Sequence, residues 1–127
     1  MITYLTEEQI LLVHFQLVER YGGSHGVRDI ERIKSVAHAV RQEAFGVEQY
    51  PSLYEKAAVY VRNIIADHPF ADGNKRTGIT SGVMFLRMNK KRFSAKRGEL
   101  EDFAVKVATD HLSVNEIAAW LEGHCVK

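Results

Sequence analysis

The apolar positions of this chain recur at intervals of three and four almost throughout, the spacing that lines one face of an α-helix, and only two prolines, Pro51 and Pro69, interrupt it. The pattern predicts an all-α fold. A first helix should begin at Thr6, whose hydroxyl can cap it while Gln9 reaches back, and Ile10, His14, Leu17 and Tyr21 then share a face until "YGGSHG" ends it. A second is expected from Asp29 to about Glu43, with Ile33, Val36, Ala37 and Val40 turned inward. The stretch "FGVEQYPS", residues 45–52, is too short and too turn-rich for a helix and reads as an ordered loop or a short hairpin.

A capping box from Ser52 to Glu55 opens a third helix, with Ala57, Val61, Ile64 and Ile65 on its stripe and His68 next along it. Pro69 then stops it. A residue before proline is pushed out of the right-handed α region, so His68 should stand at the helix exit, aimed from a rigid element into a loop. "TGITSGVMFL" follows, ten residues without a charge, in which Gly78 and Gly82 are spaced to let a neighbouring helix pack closely. That is the mark of a central buried helix. Leu100, Phe103, Ala104, Val107 and His111 outline a fifth helix, and the box from Ser113 to Glu116 opens a sixth with Ile117, Trp120, Leu121 and His124 on one face. With no repeat, linker or low-complexity segment, residues 1–127 read as a single compact six-helix domain.

Composition changes this picture little. A chain of 127 residues can bury about two-thirds of its unfolded surface, and 46% hydrophobic content with a net charge of +1 argues against disorder and against binding driven by overall charge. Charge is uneven locally: Lys75, Arg76, Arg87, Lys90, Lys91, Arg92, Lys96 and Arg97 fall between Asn74 and Arg97 with no acid among them. Of these, "RMNKKR" falls where the central helix ends, and cations stabilise a helix C-terminus on their own account, so no direct nucleic-acid contact is expected there. The lone Cys125 cannot form an internal disulfide, which fits a reducing compartment. "MITYLTEEQ" lacks the features of an export signal, and no apolar run approaches the roughly 18 residues of a membrane span. The expectation is a cytoplasmic protein without membrane contact.

The chemistry is concentrated in "DHPFADGNKRTG", Asp67 to Gly78. The first turn of the helix after this loop offers backbone N–H groups with no intrahelical acceptor, and its macrodipole adds partial positive charge at the same place. Gly73 allows close approach, Asn74 can cap or donate, and Lys75 and Arg76 bring full charges, which together suit a di- or triphosphate. Two cations in a first turn run against the macrodipole unless an anion is bound. Asp72 is a single carboxylate beside phosphates, the usual way to hold Mg2+; it could also cap the helix. An imidazole, with a reference pKa near 6.5, can take a proton from an attacking hydroxyl, a role open to His68. These parts suggest phosphoryl or nucleotidyl transfer. His14, His111 and His124 sit on apolar stripes and read as core or boundary residues; the glycines of "RYGGSHG" read as the turn ending the first helix, and Arg28 with Asp29 as the start of the second.

"HPFADGNKRTG" resembles the signature of the Fic/Doc family, matching all nine positions of its core pattern of His, any or Pro, Phe, any, Asp/Glu, Gly/Ala, Asn, Gly/Lys and Arg. "RYGG" followed by "GVRD" and the apolar central helix extend the likeness to the compact Doc, or death-on-curing, toxins. The resemblance implies that His68 is the general base, that Phe70 anchors the loop, and that Asp72 holds magnesium. It implies that Asn74, Arg76 and the loop amides hold the phosphates of ATP. Position 75 is Gly in the adenylyl-transferring branch but Lys here, and a second arginine usual three residues after the first is replaced by Ile79. Both departures imply a kinase of the Doc type. Its family substrate is a threonine of elongation factor Tu, its effect arrest of translation, and its partner a Phd-like antitoxin. Two alternatives stay open: a protein adenylyltransferase, and a non-catalytic antitoxin-binding co-repressor, which would meet nucleic acid only through the antitoxin.

Overall fold

In the computed structural model, which describes residues 1–126, the helices run in the order α1 (Glu7–Tyr21), α2 (Ile30–Ala39), α3 (Leu53–Asp67), α4 (Asn74–Met88), α5 (Glu99–Asp110) and α6 (Val114–Gly123). Two antiparallel pairs of two-residue strands accompany them: β1 (Glu43–Ala44) with β2 (Val47–Glu48), and β3 (Arg92–Phe93) with β4 (Cys125–Val126). The fold is the all-α six-helix bundle that the periodicity predicts. Among the described residues, no helix is long and apolar enough to cross a membrane.

Side chains start four of the helices. Thr6, Ser52 and Ser113 each accept a hydrogen bond from the third helical residue, whose Gln or Glu reciprocates in a full capping box, and Asp29 accepts from Glu31 N–H. The starts of α4 and α5 differ: each follows a glycine with positive φ, Gly73 or Gly98, and neither has a side-chain cap.

The core is built on α3, where Lys56, Ala57, Ala58, Val59, Tyr60 and Val61 are buried in succession. A run of this kind means the helix is covered all round. The Lys56 ammonium is carried by Glu48 Oε1 at 3.3 Å and by the Tyr50 carbonyl, so a buried cation ties the β1–β2 segment to α3. Against α3 lies α4, and the expected close approach is real: a Cβ on Gly78 would stand 3.0 Å from Val61 O, and one on Gly82 would stand 2.4 Å from Val61 Cγ2 and 3.1 Å from Ala57 O. At these two points α4 presents no side chain, and its backbone meets Ile65 and Val61 side chains together with the Val61 and Ala57 carbonyls.

Several expectations are corrected. The second helix stops at Ala39 rather than near Glu43, because Phe45 and Gly46 both take positive φ (54° and 76°) and fold residues 43–48 into a hairpin. That hairpin begins two residues before the 45–52 segment. His111 is exposed, in a left-handed cap at the end of α5, and is not part of the core. Tyr21 is also half exposed, although Ile10 and His14 on the same helix are buried.

Candidate functional site

The loop between α3 and α4 is held from both sides. Its first residue, His68, leaves α3 with φ 50° and ψ 57°, out of the right-handed region as a residue before proline should be, and into the left-handed one. For a residue other than glycine that conformation costs about 1–2 kcal/mol, so the surrounding contacts must impose it. Those contacts are plain. Pro69 O accepts from Arg28 N–H and Asp29 N–H at 2.8 and 3.0 Å, and Ala71 N–H donates to Gly26 O at 3.0 Å. Val27 and Phe70 thereby form an isolated antiparallel bridge. The Arg32 guanidinium reaches the Asp67 carbonyl and pairs with Asp29 at 3.2 Å.

Phe70 is fully buried, a burial worth about 1.5–3 kcal/mol. Its backbone is clamped by one side chain: Asn74 Oδ1 accepts from Phe70 N–H at 3.0 Å and Asn74 Nδ2 donates to Phe70 O at 2.9 Å. Both ends of the amide are therefore used within the loop. Asn74 does not cap α4; its side chain is committed to the Phe70 backbone.

The tip of α4 carries no acid in its first turn and no side-chain cap. The first helical bond there runs from Thr77 N–H to Gly73 O, so the amides of Asn74, Lys75 and Arg76 are the orphan donors of the helix end. Lys75 and Arg76 are exposed and, among the described residues, form no ion pair. The tip opens on a cleft of about 510 Å³ whose walls are Asp72 to Thr77 with Ile79, the end of α1 (Leu17, Val18, Tyr21) and the face of α5 (Leu100, Glu101, Ala104, Val105). One end of this space is cationic and the rest is largely apolar. Ile79 is buried and contributes to the apolar part.

Asp72, Gly73, Asn74, Lys75 and Arg76 thus come together, while His68 and Phe70 do not line the cleft. His68 is exposed on the other rim of the loop, and its Nδ1 lies 3.1 Å from Ala66 O. A carbonyl can only accept, so Nδ1 is the donor in this bond. The Asp72 carboxylate accepts from Gly73 N–H at 2.9 Å and from Ser24 N–H at 3.3 Å. It retains free lone pairs. Among the described residues no group of three or more His, Cys, Asp or Glu could hold a metal, so magnesium here would rest on Asp72 and on oxygens brought by a nucleotide, an arrangement that ion favours.

Three further residues shape the site in ways that the pattern of apolar and polar positions does not show. His14 is buried as expected, yet it is not idle: its Nε2–H donates to Asp72 O at 2.9 Å and its ring stacks on Phe70 at 3.7 Å, with planes 5° apart. Burial lowers its pKa below the ordinary 6.5, against the opposing pull of the Asp72 carbonyl. Gly23, at φ 109°, does more than end a helix, because a Cβ there would stand 2.6 Å from Asp72 Oδ2. Tyr21 holds the Arg76 guanidinium over its ring at 4.0 Å, at the mouth of the cleft.

The comparisons with known proteins follow the same elements. A family model described as "Fic/DOC family" matches residues 4–86, a span that runs from before α1 into α4 and contains the whole loop. The chain is 32% identical over 115 residues to the protein kinase doc of Escherichia phage P1, covering 91% of this chain and 90% of that protein. It is also 32% identical over 105 residues to the toxin Doc of Mycolicibacterium smegmatis, covering 81% of each. With the matched span enclosing every backbone contact that pins the loop, the chain belongs to the Fic/DOC family.

Proposed function

We propose that this chain is a toxin of the Doc type that transfers the terminal phosphoryl group of ATP to a protein hydroxyl, with Mg2+ as cofactor. One observation carries the reading: the tip of α4 has no side-chain cap and is cationic, with Lys75 and Arg76 in no ion pair among the described residues, and it opens on a cleft beside the Asp72 carboxylate. Such a tip is unfavourable in isolation and favourable once phosphates neutralise it. The kinase named among its relatives supports the same chemistry.

In this mechanism the orphan amides of Asn74, Lys75 and Arg76, with the two cationic side chains, bind and orient the phosphate chain. Bound magnesium would supply charge neutralisation at the phosphate oxygens, and Asp72 is the residue that would hold it. His68 Nε2 accepts the proton of the incoming hydroxyl as its oxygen forms the new bond to phosphorus and ADP departs. Its Nδ1–H bond to Ala66 O supports that assignment by fixing the tautomer. Asn74 and His14 act on the loop rather than on the nucleotide: one holds Phe70, the other the Asp72 carbonyl.

Lys75 and the apolar Ile79 favour phosphoryl over adenylyl transfer, since bulk and charge at 75 select which phosphate faces His68 and no second guanidinium stands one turn along. The proposed acceptor is a threonine of elongation factor Tu, the consequence arrest of translation, and the neutralising partner a Phd-like antitoxin. Incubation with ATP, magnesium and the factor should add the mass of one phosphate, and His68→Ala should abolish the addition. An added AMP would establish adenylyl transfer instead, and growth arrest by the His68→Ala protein equal to that by the parent would leave only a binding role. Lys75→Gly tests the branch directly by shifting product from phosphate toward AMP.

A further inference from the structure

The basic run that follows α4 is not explained by the helix it follows. Only Arg87 lies in the last turn of α4, and its Nη2 is bound to Phe93 O at 3.2 Å. Lys90 stands in the turn that caps α4, and Arg92, Lys96 and Arg97 come later, beyond the reach of the helix dipole, which fades within the final turn. All four are exposed, and among the described residues none forms an ion pair. The nearest acid in sequence, Glu99, is turned elsewhere: its carboxylate takes Lys96 N–H at 2.6 Å and His124 Nε2 at 3.0 Å.

The segment is also ordered, held by the β3–β4 pair and by Ser94 N–H on His124 O at 2.9 Å. Its turn contains a residue that local stability alone would not choose. Lys91 N–H donates to Leu86 O at 3.0 Å and Lys90 N–H to Arg87 O at 3.1 Å, the paired bonds of a Schellman cap, which puts Lys90 at φ 67° where glycine is the usual occupant. A cation is kept at a position whose backbone disfavours it.

We infer that Lys90, Arg92, Lys96 and Arg97 form a ridge that binds the phosphate backbone of a nucleic acid, separate from the nucleotide cleft. The length of α4 places the ridge about 20 Å from the tip carrying Lys75 and Arg76. Nucleic acid is favoured over an acidic protein because the segment offers charge and little else: Phe93 is buried, and Val126 across the strand pair is the exposed apolar side chain beside it. A protein interface needs apolar anchors at its centre, whereas a sequence-independent phosphate track needs only cations.

The test is fluorescence anisotropy of the full chain with 20-base-pair RNA and DNA duplexes. Four phosphate contacts predict a roughly hundredfold loss of DNA affinity between 50 and 200 mM salt, and the RNA arm shows which duplex binds better. Lys90→Gly should weaken binding several-fold, lower the salt slope by about one and raise the thermal midpoint, so that the loss cannot be ascribed to unfolding. Arg92→Ala, Lys96→Ala and Arg97→Ala added to it should abolish binding while ATP affinity is unchanged. Absence of salt-sensitive binding at 50 mM, binding that survives in the fourfold variant, or displacement of either duplex by polyglutamate of equal charge would overturn the inference; the last result would assign the ridge to an acidic protein.

Discussion

Replacing Gly23 by alanine tests the link between the turn after α1 and the Asp72 carboxylate proposed to hold magnesium. The new methyl would stand 2.6 Å from Asp72 Oδ2 and 3.2 Å from Asp72 Cγ, where about 3.5 Å is the comfortable separation. The carboxylate is the end of an exposed side chain and can swing aside, so the clash itself costs little. What is lost is its pair of bonds to Gly73 N–H and Ser24 N–H, together worth about 1–2 kcal/mol at an exposed site. The positive φ adds about 1–2 kcal/mol of backbone strain. Gly22→Ala is the control, since it too has a positive φ, 87°, but nothing lies within 4 Å of the added methyl.

Urea unfolding should therefore show both variants destabilised, Gly23→Ala by about 1 kcal/mol more. Activity should separate them far more sharply. With Asp72 displaced, the magnesium concentration giving half-maximal phosphoryl transfer should rise at least tenfold in Gly23→Ala and hold steady in Gly22→Ala. If the two variants need the same magnesium, Gly23 is a turn residue only and the argument fails.

Other expectations follow from the same contacts. Asn74→Ala leaves the buried Phe70 N–H and C=O unpaired, so it should cost roughly 2–4 kcal/mol in denaturant unfolding and lose activity although no phosphate contact of that side chain is removed. Because burial holds the folded-state pKa of His14 below 6.5, the unfolded chain takes up its proton first as pH falls. The stability His14 contributes is complete above pH 6.5 and drains away as pH drops through the folded value. Unfolding of the parent compared with His14→Gln, which can donate to Asp72 O but does not titrate, should diverge only on that acid side. His124 has the opposite sign, its pKa raised by the Trp120 carbonyl and Glu99, so its contribution is lost as pH rises through the folded value; His124→Gln should diverge on the alkaline side of 6.5. Gly82→Ala drives a methyl to 2.4 Å from Val61 Cγ2 and should cost about 1–3 kcal/mol. Val61→Ala should restore only part of this, because the Ala57 carbonyl at 3.1 Å cannot move aside.

What could be read in advance depended on the range of the interaction. The starts of α1, α3 and α6 were legible because a capping box is written within four residues, and the α3–α4 contact was legible as two glycines one turn apart. The end of α2 was not, since Val40 continues the apolar stripe while the Phe45–Gly46 turn, further on, decides where the chain leaves it. The site divides in the same way. Its cationic tip is contiguous in sequence, whereas an asparagine before a helix may equally cap it or reach back, and only the position of the Phe70 backbone chooses. Gly23 and His14 meet Asp72 across separations of about fifty residues, so their purpose exists only in the folded chain.

The seam between α3 and α4 has a consequence for how this enzyme could be retuned. At Gly78 and Gly82 the backbone of α4 lies directly against the side chains and carbonyls of α3, so the two helices that flank the loop of residues 68–73 behave as one solid block. Under the proposed function, changes of acceptor or of nucleotide preference cannot be won by sliding one against the other. They must come from the perimeter, where residues face water and can be exchanged without disturbing the block.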